Sequence, residues 1–301
     1  MNKYRYILDA SSKKFKCPNC SKFSFVIFLD SETGERMENY GRCDRESKCG
    51  FFYHPSKDGF QNSKNSEIFD TVEVEIYPSF HKNNLVEISM SGDNNFLKYL
   101  RFLFGNQKAS EVQKKYKIGT LSEFNNGTIF WQIDEHKKVR AGKVIQYFET
   151  GKRTKNITWM HQFLKRKNAV SDFNLSQCLY GLHLIIEDKS SIIALVESEK
   201  TACIMSVKFP DFLWLSCGAK AEFKLKKLEP IKHRKIIAYP DCEIQKNGKT
   251  TYQEWKRKAT EFNRLGFDIY VSDLLENEAS LQQKKEGIDI ADFFMKEVNG
   301  T

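Results

Sequence analysis

The sequence predicts a multidomain protein of mixed α/β and α+β class. It should carry a small cysteine-bearing module at the N-terminus, a basic α+β middle region and a C-terminal domain on a parallel sheet. Three observations predict this. Four of the eight cysteines fall within the first fifty residues, in two close-set groups. Residues 128–163 hold short apolar runs split by turn signals, as antiparallel pairs do. Beyond about residue 180, apolar strands alternate with helical stretches, the pattern of a parallel sheet covered on both faces. The expected domains are residues 1–58, 67–180 and 181–301. A chain of 301 residues allows roughly two domains of ordinary size. A hydrophobic content of 40% can bury a core, and six prolines rule out proline-rich disorder. No run approaches the ~20 apolar residues that span a bilayer, and Met1–Lys16 lacks the apolar stretch of a secretory signal. A cytoplasmic protein without a membrane partner is expected. Lys and Arg number 48 against 39 Asp and Glu, a net charge of +9. That balance suits an anionic partner, although a well-solvated surface has the same composition.

The N-terminal cysteines read Cys17-Pro-Asn-Cys20, then Cys43-Asp-Arg-Glu-Ser-Lys-Cys49-Gly. A Cys-x2-Cys turn presents two thiolates together, and two such turns supply the four soft ligands of tetrahedral zinc. Phe23–Leu29 is an apolar strand, and residues 31–35 (Ser-Glu-Thr-Gly-Glu) form a turn, so the layout is that of a zinc ribbon. The second pair is spaced by five residues rather than two, which leaves His54 as a substitute ligand. Two disulfides or four free thiols are the other readings. Disulfides need an oxidising compartment, which nothing in the N-terminus suggests. Cys178, Cys203, Cys217 and Cys242 sit among apolar neighbours and read as small buried residues. Pro55–Ser66 is polar and reads as a linker.

In the middle region, Asn95–Phe104 and Ser110–Tyr116 have helical spacing, with Ser110 as a cap. Thr128–Ile133, Lys143–Phe148 and Thr158–Phe163 read as strands. Further on, Ser191–Val196, Phe212–Ser216, Lys235–Tyr239 and Asp268–Val271 read as strands. Glu199–Val207, Thr251–Leu265 and Asp289–Val298 read as helices.

In an open α/β sheet, ligands gather outside the carboxyl ends of the strands. The strand ending at Val196 is followed by Glu197-Ser198-Glu199-Lys200, and the strand ending at Tyr239 by Pro240-Asp241-Cys242-Glu243. Adjacent strand ends bearing acids would crowd like charges, and a divalent cation relieves that. Hard carboxylate oxygens suit Mg²⁺, itself a natural partner of phosphates. Taken singly, each acid could be a helix N-cap or a solvated first-turn residue. Asp273 follows another strand and is a third candidate acid for the metal.

These residues carry a resemblance. The segment 195–202 (Leu-Val-Glu-Ser-Glu-Lys-Thr-Ala) resembles the first motif of the Toprim fold, and 236–243 (Ile-Ile-Ala-Tyr-Pro-Asp-Cys-Glu) the second. Residues 287–294 (Gly-Ile-Asp-Ile-Ala-Asp-Phe-Phe) resemble the helix that closes many phage and plasmid primase Toprim domains. Zinc ribbon, basic α+β domain and Toprim domain, in that order, resemble bacterial and phage-type DNA primases. The group most similar in these motifs is the Toprim primase-like proteins on mobile elements of the Bacteroides group. The resemblance implies a metal-dependent nucleotidyl site. Glu197 would serve protons or metal, and Asp241 and Glu243 would hold Mg²⁺ (or Mn²⁺). It departs from the family at Ser198, where the motif has Gly, at Glu243, where it has Asp, and over Ile244–Tyr252, which replaces a short turn.

From His136 to Asn168 there are ten Lys or Arg against one acid, Glu149, with Tyr147, Phe148, Trp159 and Phe163 interleaved. Cations neutralise phosphates and aromatic faces stack on unpaired bases. Most of these lysines read equally as a solvated hairpin surface. Arg140 and Lys143 flank Gly142, which permits close approach to a phosphate. By the family resemblance they would serve nucleotide or template, and Lys200 would pair either a phosphate or Glu197. No phosphate-loop motif occurs, so no fused helicase is expected. The family resemblance implies single-stranded DNA and nucleoside triphosphates as partners, and a separate replicative helicase. The leading function is primer synthesis. A Toprim nuclease and a catalytically degenerate DNA-binding protein are the alternatives.

Overall fold

The computed structural model describes residues 4–9, 11, 13–45, 48–58, 78–244 and 249–296. Parts of the expected linker (Pro55–Ser66), of the insertion (Ile244–Tyr252) and of the last expected helix (to Val298) lie outside these residues. The chain divides into two compact units, Met1–Val74 and Glu75–Thr301. No helix among the described residues is long and apolar enough to cross a membrane.

The first unit is an antiparallel sheet. β1 (Tyr6–Leu8) and β2 (Phe15–Lys16) both pair with β3 (Phe23–Asp30), which pairs with β4 (Arg36–Cys43), and β4 with β5 (Phe52–Tyr53). Its core is small: Phe25 and Ile27 pack with Cys17 and Cys43, and Phe15 and Phe51 flank them. So little apolar surface cannot offset chain entropy without a staple. The cysteines supply one. Their sulfurs all lie within 4.8 Å of one another, with Cys17 and Cys49 3.7 Å apart and Cys20 and Cys43 3.9 Å apart. A tetrahedron of Zn–S bonds near 2.3 Å requires sulfurs about 3.8 Å apart, so the four cysteines fit a structural Zn²⁺ site. Donors surround it: Asn19 Nδ2 reaches Cys49 Sγ, Arg45 Nη1 reaches Cys20 Sγ and Ser24 Oγ touches Cys43 Sγ. The Lys22 backbone N–H first of all lowers the Cys20 thiol to about 6, whereas burial pushes the Cys17 thiol up to about 11. His54 stays outside the cluster. Its Nδ1 is bonded to Ser56 Oγ at 2.7 Å and its ring packs edge-on against Phe28.

The second unit holds two four-stranded sheets. α1 (Asn83–Ser89) and α2 (Asn95–Tyr116) lead into a meander of β6 (Ile118–Leu121), β7 (Gly127–Ile133), β8 (Val139–Tyr147) and β9 (Arg153–Trp159). Asn94 caps α2, its side chain accepting from the Leu97 N–H. The two expected helical stretches are one element broken at Gly105, whose φ of 80° and ψ of 169° are not helical. Ser110 therefore lies inside a helix rather than at its start. The expected strand over Thr158–Phe163 is corrected: β9 ends at Trp159, and residues 160–166 form α3 (Met160–Arg166). The reason is spacing. Met160 and Phe163 are three apart and face the same cluster, around Trp131 and Val144, which a helix allows and a strand does not.

The chain then builds β10 (Ile193–Val196), α4 (Glu199–Lys208), β11 (Leu213–Ser216), α5 (Leu225–Leu228), β12 (Lys235–Tyr239), α6 (Thr251–Asn263) and β13 (Asp268–Val271). α7 (Leu274–Glu278), α8 (Leu281–Glu286) and α9 (Ile290–Lys296) close it. The strands lie in the order β11-β10-β12-β13, all parallel. β10 and β11 are buried at every position, as a sheet covered on both faces requires. One core serves both sheets: Phe130, Ile145 and Tyr147 of the meander join Leu195, Trp214 and Ile236 of the parallel sheet.

Candidate carboxylate cleft

β10 leads through α4 to β11 on one side, and β12 leads through α6 to β13 on the other. The chain departs in opposite directions from two neighbouring strands, so their carboxyl ends flank a crevice. A cleft of about 590 Å³ opens there. Glu197, Ser198, Glu199 and Lys200 enter it from the end of β10, Gly218 and Lys220 from the loop after β11, and Asp241 from the end of β12. Lys143, Ile145 and Tyr147 face it from alternate positions of β8. Asp289 and Asp292 complete it, because the Cys242 N–H donates to the Ile288 carbonyl at 2.8 Å and ties the start of α9 beside the end of β12.

Glu197 Oε1 accepts the Asp241 backbone N–H at 3.2 Å. Burial pushes the Glu197 carboxyl up to about 7. The Asp241 carboxyl is raised well above its ordinary range, by burial first and then by the charges of Glu197, Asp289 and Asp292. Its oxygens have no hydrogen-bond partner among the described residues. Asp289 is used twice by the fold, accepting the Thr201 hydroxyl and the Asp292 N–H. Ser198 sits where the first motif has Gly. Its φ of −105° needs no glycine, and its hydroxyl caps α4 by accepting the Thr201 N–H.

Three of the cleft's cations are matched to acids. Lys143 Nζ lies 3.1 and 3.2 Å from the Glu199 oxygens and donates to the Gly218 carbonyl at 2.7 Å. Lys200 pairs with Asp292 at 3.6 Å, and Lys220 with Glu243 at 2.5 Å. Burial disfavours the Lys200 charge, but Asp289 and Asp292 outweigh it and the net shift is upward.

The sequence-derived candidates thus divide. Glu197, Asp241, Lys143 and Lys200 meet in the cleft. Glu243 stands beside it, held by Lys220 and by the Thr251 hydroxyl at 2.8 Å. Arg140 lies in a separate cavity with Ser176 and Gln177. It pairs with Asp134 at 2.5 Å and stacks over Phe80. Asp273 lines another groove, with Tyr252 and Lys256, and accepts from the Tyr270 hydroxyl at 3.3 Å. Glu199, Asp289, Asp292, Lys152, Arg153 and Lys220 line the cleft although sequence reasoning did not select them. The acids of the third motif were visible as a pattern; Lys152 and Arg153 were counted among the ten cations of the basic stretch but not singled out from it.

Among the described residues, only the four cysteines bring three or more possible ligand atoms within 4.8 Å. The cleft acids are set wider. That spacing fits Mg²⁺, which keeps several waters and takes one or two carboxylates directly.

Residues 94–242 match a family described as a domain of unknown function, DUF6371. Residues 4–65 match a zinc beta-ribbon finger. No curated protein matches the chain. Among solved structures, the chain is similar to the primase fragment of the bacteriophage T7 primase-helicase, with 15% identity, 94% of each chain covered and a TM-score of 0.39. It is also similar to the RNA polymerase domain of Mycobacterium tuberculosis primase DnaG, with 10% identity, 71% of this chain and 84% of that one covered, and a TM-score of 0.42. The E. coli primase catalytic core aligns with 12% identity, 71% and 82% coverage and a TM-score of 0.41. All three are remote likenesses.

Proposed function

We propose that this protein is a Toprim-type, primase-like nucleotidyltransferase that binds single-stranded DNA and joins nucleotides with Mg²⁺ or Mn²⁺. The observation that carries the reading is Asp241. Its carboxylate stands at the switch point of the parallel sheet without a hydrogen-bond partner among the described residues, crowded by Glu197, Asp289 and Asp292. A carboxylate cluster that pays so much repulsion to stay together fits a divalent cation. Asp241 would hold the ion directly, with Asp289 and Asp292 beside it.

When bound, the ion would draw charge from the phosphate oxygens and lower the pKa of an attacking hydroxyl. The chain's own residues do the rest. Glu197, with its carboxyl near 7, can accept a proton near neutral pH. Lys200, beside Asp292, offers a charge to a phosphate. Lys143 and Glu199 fix the loop after β11 through the Gly218 carbonyl. In-line transfer depends on such positioning and on charge neutralisation. The basic, aromatic hairpin over residues 136–168 would hold the unpaired strand. By its motif resemblance the protein would act on a mobile element, with a separate helicase as partner.

That no three cleft carboxylates bring ligand atoms within 4.8 Å of one another, among the described residues, favours one second reading: a protein that holds DNA and makes no bonds. Primer synthesis on single-stranded DNA separates the two. With labelled nucleoside triphosphates and Mg²⁺ or Mn²⁺, wild type is expected to make short products, and Asp241→Ala to make at least about a hundredfold less. A folded, zinc-loaded wild type that makes no product on varied templates refutes the enzyme reading.

A further inference from the structure

The cleft's cations are not equivalent. Lys143, Lys200 and Lys220 each have a carboxylate partner within 4 Å. Lys152 and Arg153 line the same cleft, are exposed, and have no carboxylate partner among the described residues. The hairpin's own acid cannot serve them, because Glu149 is taken by Lys98 of α2 at 2.9 Å. The turn that carries them is also fixed. The Gly151 N–H donates to the Phe148 carbonyl, and the Phe148 N–H to the Lys152 carbonyl. Gly151 has a φ of 75°, and a Cβ there would fall 2.4 Å from the Tyr99 ring, so only glycine lets the turn lie this close to α2. Tyr99 in turn feels the charges of Lys200, Asp289 and Asp292. A pair of cations without a carboxylate partner among the described residues is therefore held in the same cleft as Asp241, whose carboxyl has no hydrogen-bond partner among them either.

We propose that the Gly151–Lys152–Arg153 turn is the polyphosphate clamp of the cleft, taking the terminal phosphates of a nucleoside triphosphate whose metal is held at Asp241. This rests on the nucleotidyltransferase reading. A ligand that satisfies both walls must carry concentrated negative charge on one side and bring a cation on the other, as a metal–triphosphate does. A DNA strand spreads single charges along its length instead, and the exposed face of β9, with Lys155, suits it better. Arg supplies a planar fork for two phosphate oxygens and Lys a mobile point charge.

The test uses the full zinc-loaded chain, Mg²⁺, α,β-imido nucleoside triphosphates and a labelled oligothymidylate. Lys152→Gln/Arg153→Gln is compared with Lys155→Gln/Lys165→Gln, two other exposed cations of the same region. Melting curves confirm that each variant is folded. The clamp variant is expected to lose at least about tenfold in triphosphate affinity, as two charge-assisted bonds imply, and to lose its preference for tri- over monophosphate. The comparison variant should stay within about twofold for nucleotide, and oligothymidylate should bind the clamp variant within about twofold of wild type. If wild type binds the triphosphate and the clamp variant binds it equally well, the clamp is wrong and the enzyme reading stands. If the clamp variant loses only oligothymidylate, the turn is a template contact and the clamp is again wrong. If wild type binds no triphosphate with either Mg²⁺ or Mn²⁺, both ideas fall together.

Discussion

The cysteine cluster and the carboxylate cleft both gather groups that would repel one another when charged, yet they are built to opposite rules. In the first unit the ligand atoms converge to within 4.8 Å, Cys17 and Cys43 are buried among aromatic rings, and Asn19 and the Arg45 guanidinium point at the sulfurs. In the second, no three carboxylates converge that closely among the described residues, Glu197, Glu199 and Asp289 are buried, and lysines neutralise part of their charge. A converged, shielded set of soft ligands suits an ion that arrives once and holds the fold together. A spread, half-neutralised set of hard ligands suits an ion that comes and goes with an anionic partner.

The comparison breaks most readily at the zinc. Removing it with a chelator should cost the first unit the ~10–16 kcal/mol of a structural zinc site. Amide exchange in β3 and β4 should rise to unprotected rates while β10 and β12 keep their protection. Retained protection in β3 would mean the cysteines are not a staple.

The next largest effect should come from the buried pair that joins the two sheets. Lys143→Met leaves Glu199, 2% exposed, as a buried charge without its partner, and should cost about 3–5 kcal/mol in denaturant unfolding. Lys143→Met/Glu199→Leu should recover most of that. A double variant as unstable as the single one would show that shape, not charge, matters at this point.

Acid separates the two regions in another way, because it strips thiolate ligands but relieves crowded carboxylates. One group in the second unit complicates that contrast. His81 lies between Phe173, stacked at 4.4 Å, and Trp131, with Nε2 buried and unbonded. Its pKa is lowered to about 4, by burial first and by His161 second. The folded state therefore binds fewer protons than the unfolded chain between pH 6.5 and 4. Its contribution is complete above pH 6.5 and is lost as the pH falls toward 4, by about 2–3 kcal/mol. His81→Phe should flatten that part of the pH–stability curve; an unchanged slope would place the loss elsewhere.

The smallest effect is the most diagnostic for the cleft. Without metal, Asp241→Asn removes a crowded charge and should raise stability by about 1 kcal/mol. Mg²⁺ at a hundredfold excess over Kd should stabilise wild type by about 2–3 kcal/mol and leave the variant unmoved. Equal Mg²⁺ responses would remove Asp241 from the metal.

What the sequence shows depends on distance along the chain. The zinc ligands were legible because each pair sits on one local turn. Glu197 and Asp241 were legible because apolar strands announce their own ends. Arg140 and Lys143 looked alike on paper, but three residues of strand separate them by about 10 Å, enough for Asp134 at the neighbouring hairpin to take the guanidinium. Asp289 and Asp292 reach the cleft through a backbone bond between Cys242 and Ile288, which no local pattern encodes. Thr158–Phe163 failed as a strand because its last residues answer to a hydrophobic cluster on the meander, not to a ladder.

The Lys143–Glu199 pair also limits how this protein can be cut. A fragment beginning at residue 181 keeps every strand of the parallel sheet and all five acids that line its cleft, so it looks like a self-sufficient module. It would also keep Glu199 with its counter-charge left behind on the discarded piece. A gene that exchanged its C-terminal half with a relative would have to carry a matching lysine in the half it retained, and a partner without one would inherit a sheet of the right shape with a charge it could not hide.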